Sequence, residues 1–288
     1  MADKKIILTA DSTCDLGAEL KQRYNVEAFQ PMHITLDGKS YDDSINIFPD
    51  QVYERFYKDG TLPRTAAVSI GEYEDFFRTF VDKGCEVIHI NLGSALSASH
   101  SNARLAAESL EGVYVIDSQN LSTGTGLIVI EAAERIAKGM PAAQIAEELK
   151  EITSKAHASF VLDTLKFLAA GGRCSAVAAF GANVLGIKPS IEVDNTKGGA
   201  MGVGKKYRGK FEKCVLDYVN DQLAKYGDTI EGDHIFITHS GVDQKIIDSV
   251  QAELKKTKKF KEIFVTRASC TISCHCGPGC LGILFMTK

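Results

Sequence analysis

The sequence predicts an α/β protein in two parts: an N-terminal, mostly parallel sheet flanked by helices, then a C-terminal α/β domain with a mixed sheet. Three observations lead there. Short all-apolar, β-branched runs alternate with helical stretches through the first half, the pattern of parallel strands covered on both faces. The second half changes texture, because Ile187 to Val193 and Ala200 to Tyr207 flank a polar, glycine-ended turn and read as an antiparallel hairpin. The chain's 288 residues also exceed one ordinary core, so two domains are expected, 1–155 and 156–288.

The elements follow in order. Ile6–Ile7–Leu8–Thr9 is a strand, 16–24 a helix, and 26–36 an extended run ended by the Asp37–Gly38 turn. Helices are expected at 52–57 and 71–83, a buried strand at 87–91, a helix at 103–110, a strand at 113–116, and helices at 126–139 and 142–155. Beyond the boundary come a strand at 160–162, a helix at 164–169, the hairpin, a helix at 210–225 and a strand at 234–239. A helix at 243–256 and strands at 262–267 and 281–286 close the chain.

Composition narrows the function classes. A net charge of −4 with lysines and acids intermixed leaves no clustered basic face, which argues against nucleic acid as a partner. Lys255 to Lys259 reads as a solvated helix terminus. No run approaches the ~20 apolar residues of a membrane span, although transient proximity to a membrane is compatible with the sequence. MADKKIILTA passes straight into a strand without a secretory h-region, so a cytoplasmic chain with reduced cysteines is expected.

Chemistry gathers where strands end. Ile7–Leu8 leads to Asp11–Ser12–Thr13, Ile88–His89–Ile90 to the serines of 93–99, and Val115–Ile116 to the hydroxyls of 117–124. Such loops offer hydroxyl and backbone N–H donors to an anion, and each hydroxyl alone is also an ordinary helix cap. None is a phosphate loop, since Gly124–Thr125–Gly126 lacks the spacing and the lysine.

The chain resembles the DegV family at seven ordered places. Asp11–Ser12–Thr13–Cys14–Asp15–Leu16 is similar to its DSTxDL opening, and Pro63–Arg64–Thr65 with Ser69 to its PxTSxPS loop. Gly93–Ser94–Ala95–Leu96–Ser97 resembles SSxLSGT, and Val115–Ile116–Asp117–Ser118 resembles VIDS. Asp163 through Gly171–Gly172–Arg173 resembles DxLxxLxxGGR, Ile187–Lys188–Pro189 the IKP that follows, and His275–Cys276–Gly277–Pro278–Gly279 the closing HxGPG.

The resemblance implies an EDD fold and a lipid-binding protein that is not itself an enzyme. Its ligand would be a long-chain fatty acid held in an apolar tunnel of the N-terminal domain. Its partner would be a dihydroxyacetone-kinase-like fatty acid kinase subunit that converts the presented carboxylate to an acyl phosphate. By motif, Thr65, Ser94, Arg173 and His275 would hold the carboxylate, with Ser97, Ser69 and Gly277 as secondary contacts. No cofactor, metal or catalytic residue is expected. A buried carboxylate needs hydroxyl donors and a cation, which these residue types supply. Two departures stand out: Ala66 where the family has a second hydroxyl, and Ala98–Ser99 where it has Gly–Thr. Two other readings compete. Cys270, Cys274, Cys276 and Cys280 around His275 would make a metal or redox protein, although an extended 274–276 segment would turn His275 away from its flanking cysteines. A phosphotransferase acting alone is the other, and no kinase lysine motif or acidic magnesium cluster speaks for it.

Overall fold

The computed structural model describes residues 4–180 and 186–288. Its first half runs β1 (Ile6–Asp11), α1 (Gly17–Arg23), β2 (Val26–Gln30), β3 (His33–Leu36), β4 (Lys39–Asp42), α2 (Pro49–Asp59), β5 (Arg64–Ala66) and α3 (Ile70–Val81). Then come β6 (Glu86–Asn91), α4 (Ser99–Ala107), β7 (Val113–Asp117), α5 (Thr123–Ala137) and α6 (Ala142–Ile152). The second half comprises β8 (Ala156–Leu162), α7 (Lys166–Gly171), α8 (Ser175–Phe180), β9 (Ile187–Asp194), β10 (Ala200–Arg208), α9 (Phe211–Tyr226) and β11 (Ile230–Ser240). It ends with α10 (Gln244–Thr257), β12 (Glu262–Arg267), α11 (Cys270–Cys276) and β13 (Cys280–Thr287).

Strands β2-β1-β6-β7 form a parallel four-stranded sheet, as their apolar runs require. The second half builds a six-stranded sheet, β10-β9-β8-β13-β11-β12, antiparallel except for the β11–β12 pair. Alternation along its strands sorts side chains to two faces. Val161, Ile237 and Ile283 pack outward under α9 and α10, while Phe160, Phe236 and Leu284 turn inward to the larger core. Helix α5 lies between the two sheets, which is why its first eight residues are all buried, including Gly124 and Gly126. At Gly126 a Cβ would come within 2.8 Å of the Cys14 carbonyl oxygen, so the helix approaches the loop after β1 more closely than a side chain allows.

Several boundaries differ from the sequence reading. The expected single run over 26–36 is two strands, because Pro31 cannot continue a ladder and Met32 donates its N–H to Ser12 Oγ instead, at 3.1 Å. Strand β3 joins a second small sheet, β4-β3-β5, whose three-residue β5 is too short to show a period. The largest correction is at 270–276. This segment is helical, capped by Ser269 and ended by Gly277 at φ 72°, so the extended reading of Cys274 and Cys276 does not hold.

Candidate functional site

The site assembles from one short helix, one short strand and two loops. Helix α11 carries His275 in its last turn. β5 carries Thr65, whose position is fixed by pairing with Ile34 of β3. The two meet, Thr65 Oγ1 lying 2.8 Å from His275 Nε2. The loop after β6 brings Leu96 and Ser97, and the turn after α7 brings Arg173.

The Gly171–Gly172–Arg173 motif has a separate reason at each position. A Cβ on Gly171 would sit 2.3 Å from His275 Nδ1, so only glycine lets the imidazole lie here. Gly172 ends α7 in the left-handed region at φ 68°. Arg173 then donates from Nη1 to the Gly171 carbonyl at 2.6 Å and lies 3.5 Å by Nε from that of Leu96, and it has no ion pair among the described residues.

These residues ring one cavity of about 190 Å3, lined by Thr65, Ala66, Ser97, Arg173, Thr271 and His275 among others. Four residues, Leu121, Met201, Ile272 and His275, also line a second space. This is a narrow slot of about 60 Å3, almost wholly apolar, walled by Phe160, Leu168, Cys280 and Leu284. The slot is lined mainly by residues beyond 156, the adjoining cavity mainly by residues before it. The parallel sheet's own faces are filled by side chains such as Tyr73, Phe77 and Ile88, whereas the inward face of the mixed sheet leaves the slot.

His275 is neutral at physiological pH. Burial pushes its pKa down to about 4, and the Arg173 charge adds to the shift. A neutral imidazole has one N–H, and its Nδ1 has no partner among the described residues. The cavity thus holds one fixed positive charge, Arg173, with the hydroxyls of Thr65, Ser97 and Thr271 and an imidazole beside it, the donor set an anion requires.

Not every expected residue arrives. Ser94 is exposed; its N–H goes to Asp117 Oδ1 at 3.1 Å and its hydroxyl faces Gly198, away from the cavity. Ser97, three residues on, lines the cavity instead. Ser69 caps α3 in a reciprocal pair with Glu72 and stands outside. Gly277 ends α11 against Phe167, where a Cβ would come within 2.5 Å of the ring. Ala66 and Ala98, the two departures, both line the cavity.

The four clustered cysteines are buried thiols. Cys270 and Cys274 belong to a small core with Ile34, Val52 and Phe167, and Cys276 and Cys280 face the slot. Contact with Cys270 and burial hold the Cys274 thiol well above its usual range, and burial does the same for Cys280. Among the described residues no three His, Cys, Asp or Glu side chains are grouped to hold a metal ion.

Sequence reasoning missed Thr271 and the slot residues Leu121, Met201 and Ile272. Thr271 was findable. Ser269 as an N-cap and Gly277 as a terminator bracket a helix that places residues 271 and 275 on one face.

Comparison with known proteins shows the family and the fold. A family model described as an uncharacterised protein of the DegV family matches residues 5–288. A DegV domain-containing protein of Clostridium acetobutylicum is 29% identical, over 99% of both chains. A DegV family protein from Thermus thermophilus, solved for its fatty acid binding, superposes with a TM-score of 0.89 at 25% identity, covering 99% of this chain and 100% of that one. A stearic acid-binding protein from Eubacterium ventriosum superposes at 0.83, also at 25% identity, covering 98% of each. The chain belongs to the DegV family.

Proposed function

We propose that this DegV-family chain binds a long-chain fatty acid and presents its carboxylate to a separate, dihydroxyacetone-kinase-like fatty acid kinase subunit, without catalysing a reaction itself. One observation carries the reading: a cavity with a cation and three hydroxyls is joined, through residues common to both, to an apolar slot. A fatty acid has the same two-part character. Its carboxylate would sit among Thr65, Ser97, Arg173 and His275, and its tail would enter past Ile272 and Met201. A tail of about fifteen methylenes, at ~0.8 kcal/mol each, offers on the order of 12 kcal/mol of gross transfer free energy. Affinity would therefore come from the tail and orientation from the head. The slot must widen to take such a chain, and the unbranched side chain of Met201 is suited to give way. The fatty acid binding of the Thermus thermophilus and Eubacterium ventriosum proteins supports this ligand class.

Presentation to a partner fits the exposure of Arg173 at the cavity mouth. Among the described residues no helix is long and apolar enough to cross a membrane. The test is reconstitution. Fatty-acid-loaded protein, the kinase subunit and ATP are mixed with hydroxylamine, which traps acyl phosphate as a hydroxamate. Hydroxamate only when all components are present supports the reading. Hydroxamate without the partner subunit contradicts the non-catalytic role, and none at all contradicts presentation.

A further inference from the structure

The loop Asp11–Ser12–Thr13–Cys14–Asp15–Leu16 places no side chain on the wall of either cavity, yet it bears on the site through α11. A helix leaves its first N–H groups without intrahelical partners, and a seven-residue helix has little stability of its own. In α11 those groups meet carboxylates from the first half of the chain. Asp43 accepts the Cys270 N–H at 2.8 Å and the Thr271 N–H at 3.2 Å. It also accepts the hydroxyls of Ser12 and Ser44, each at 2.9 Å. Asp15 accepts the Ser269 N–H at 2.8 Å and the Ser122 hydroxyl at 2.5 Å. Both carboxylates are buried, at 5% exposure for Asp15 and 1% for Asp43.

We propose that Asp43, seconded by Asp15, is a positioning residue of the head-group site: by gripping the N-terminus of α11 it sets where His275 meets Thr65 and where Thr271 faces the cavity. The proposal rests on the reading that this cavity takes a carboxylate. Asp43 is one bond from the site, since Thr271, whose N–H it accepts, itself lines the cavity. Only a carboxylate suits position 43. It takes four hydrogen bonds on two oxygens, and two of the donors are backbone N–H groups that cannot turn. An asparagine would set its NH2 against one side of that arrangement. The Ser12 hydroxyl is not free to reverse at no loss, because its oxygen already accepts the Met32 N–H at 3.1 Å. The first turn of α11 would have to shift, and His275, four residues along from Thr271, would move with it.

The test separates positioning from general loosening. Delipidated full-length protein is titrated with palmitic acid and with hexadecanol, which has the same chain length and no carboxylate, for the native chain, Asp43→Asn and Ser12→Ala. Asp43→Asn is expected to weaken palmitic acid roughly tenfold while hexadecanol stays within about twofold. An equal loss for both ligands would mean a merely structural role and would overturn the proposal, as would an unchanged acid preference. Should Asp43→Asn fail to fold, Ser12→Ala removes one of the four bonds to the same carboxylate and is read the same way, with a loss of about threefold for the acid alone. Native protein that binds neither ligand would overturn both this proposal and the fatty-acid reading. Native protein that prefers the acid, beside variants that keep that preference, would overturn the positioning role alone.

Discussion

Replacing Gly171 by alanine tests the contact between α7 and His275 with a change of one methyl group. The added Cβ would stand 2.3 Å from His275 Nδ1, about 1 Å inside an ordinary contact. The ring cannot stay where it is. A shift of about 1 Å from the 2.8 Å contact with Thr65 takes that hydrogen bond beyond useful range. Overpacking of this kind costs about 1–3 kcal/mol, and the lost head-group geometry should weaken fatty acid binding about tenfold. The competing effect has the opposite sign. Gly171 is the last residue of α7, where alanine would otherwise stabilise by up to about 1 kcal/mol through backbone entropy and helix propensity. Thermal denaturation of delipidated protein, with titration of palmitic acid, distinguishes the two. The expected result is a lower Tm and a weaker Kd. A higher Tm with native affinity would refute the reasoning, because it would mean that the imidazole does not lie against this backbone.

Three further predictions follow from the same geometry. Ser97→Ala should weaken palmitic acid binding about three- to tenfold while Ser94→Ala leaves it unchanged, measured by competition titration; the reverse order would restore the motif-based assignment over the structural one. Arg173→Ala should weaken it about tenfold at low ionic strength and less at high salt, since the guanidinium is exposed and screened, and a salt-independent loss would contradict the charge argument. Asp15 has its pKa raised from 3.8 to about 7, first by burial, so between those values the folded state binds more protons and this group's contribution to stability falls as pH rises. Asp15→Asn removes that loss. The stability difference should therefore move in the variant's favour by on the order of 4 kcal/mol between pH 4 and pH 7 in chemical denaturation, and parallel pH curves would rule the shift out.

Much of the fold was legible because burial on both faces writes itself into sequence. Val87 to Asn91 must be a buried parallel strand, and the structure makes it β6. What was not legible depends on short elements and on distance. Strand β5 has three residues and no period, and its role comes from pairing with β3, thirty residues earlier. Helix α11 has a cap and a terminator, but the cluster of Cys270, Cys274, Cys276 and Cys280 around His275 draws the eye to metal chemistry before it suggests a helix. Thr65, Arg173 and His275, which the structure brings to one cavity, are each marked in the sequence by a motif. Ser94 was preferred to Ser97 because both lie in one motif, and nothing local to residues 93–99 says which hydroxyl turns inward. The choice is made by the backbone of Asn120 and Gly198, which Gly93 and Ser94 pack against. The slot was invisible for the same reason: its walls come from β8, β13, α7 and α11, brought together only by the mixed sheet.

The most direct test of the central claim is native mass spectrometry of the protein purified from a bacterial host, followed by solvent extraction. A stoichiometric bound mass that extracts as a free fatty acid, depleted in Arg173→Ala, is the expected result. Protein that emerges empty, and stays empty after exposure to palmitic acid, would contradict it.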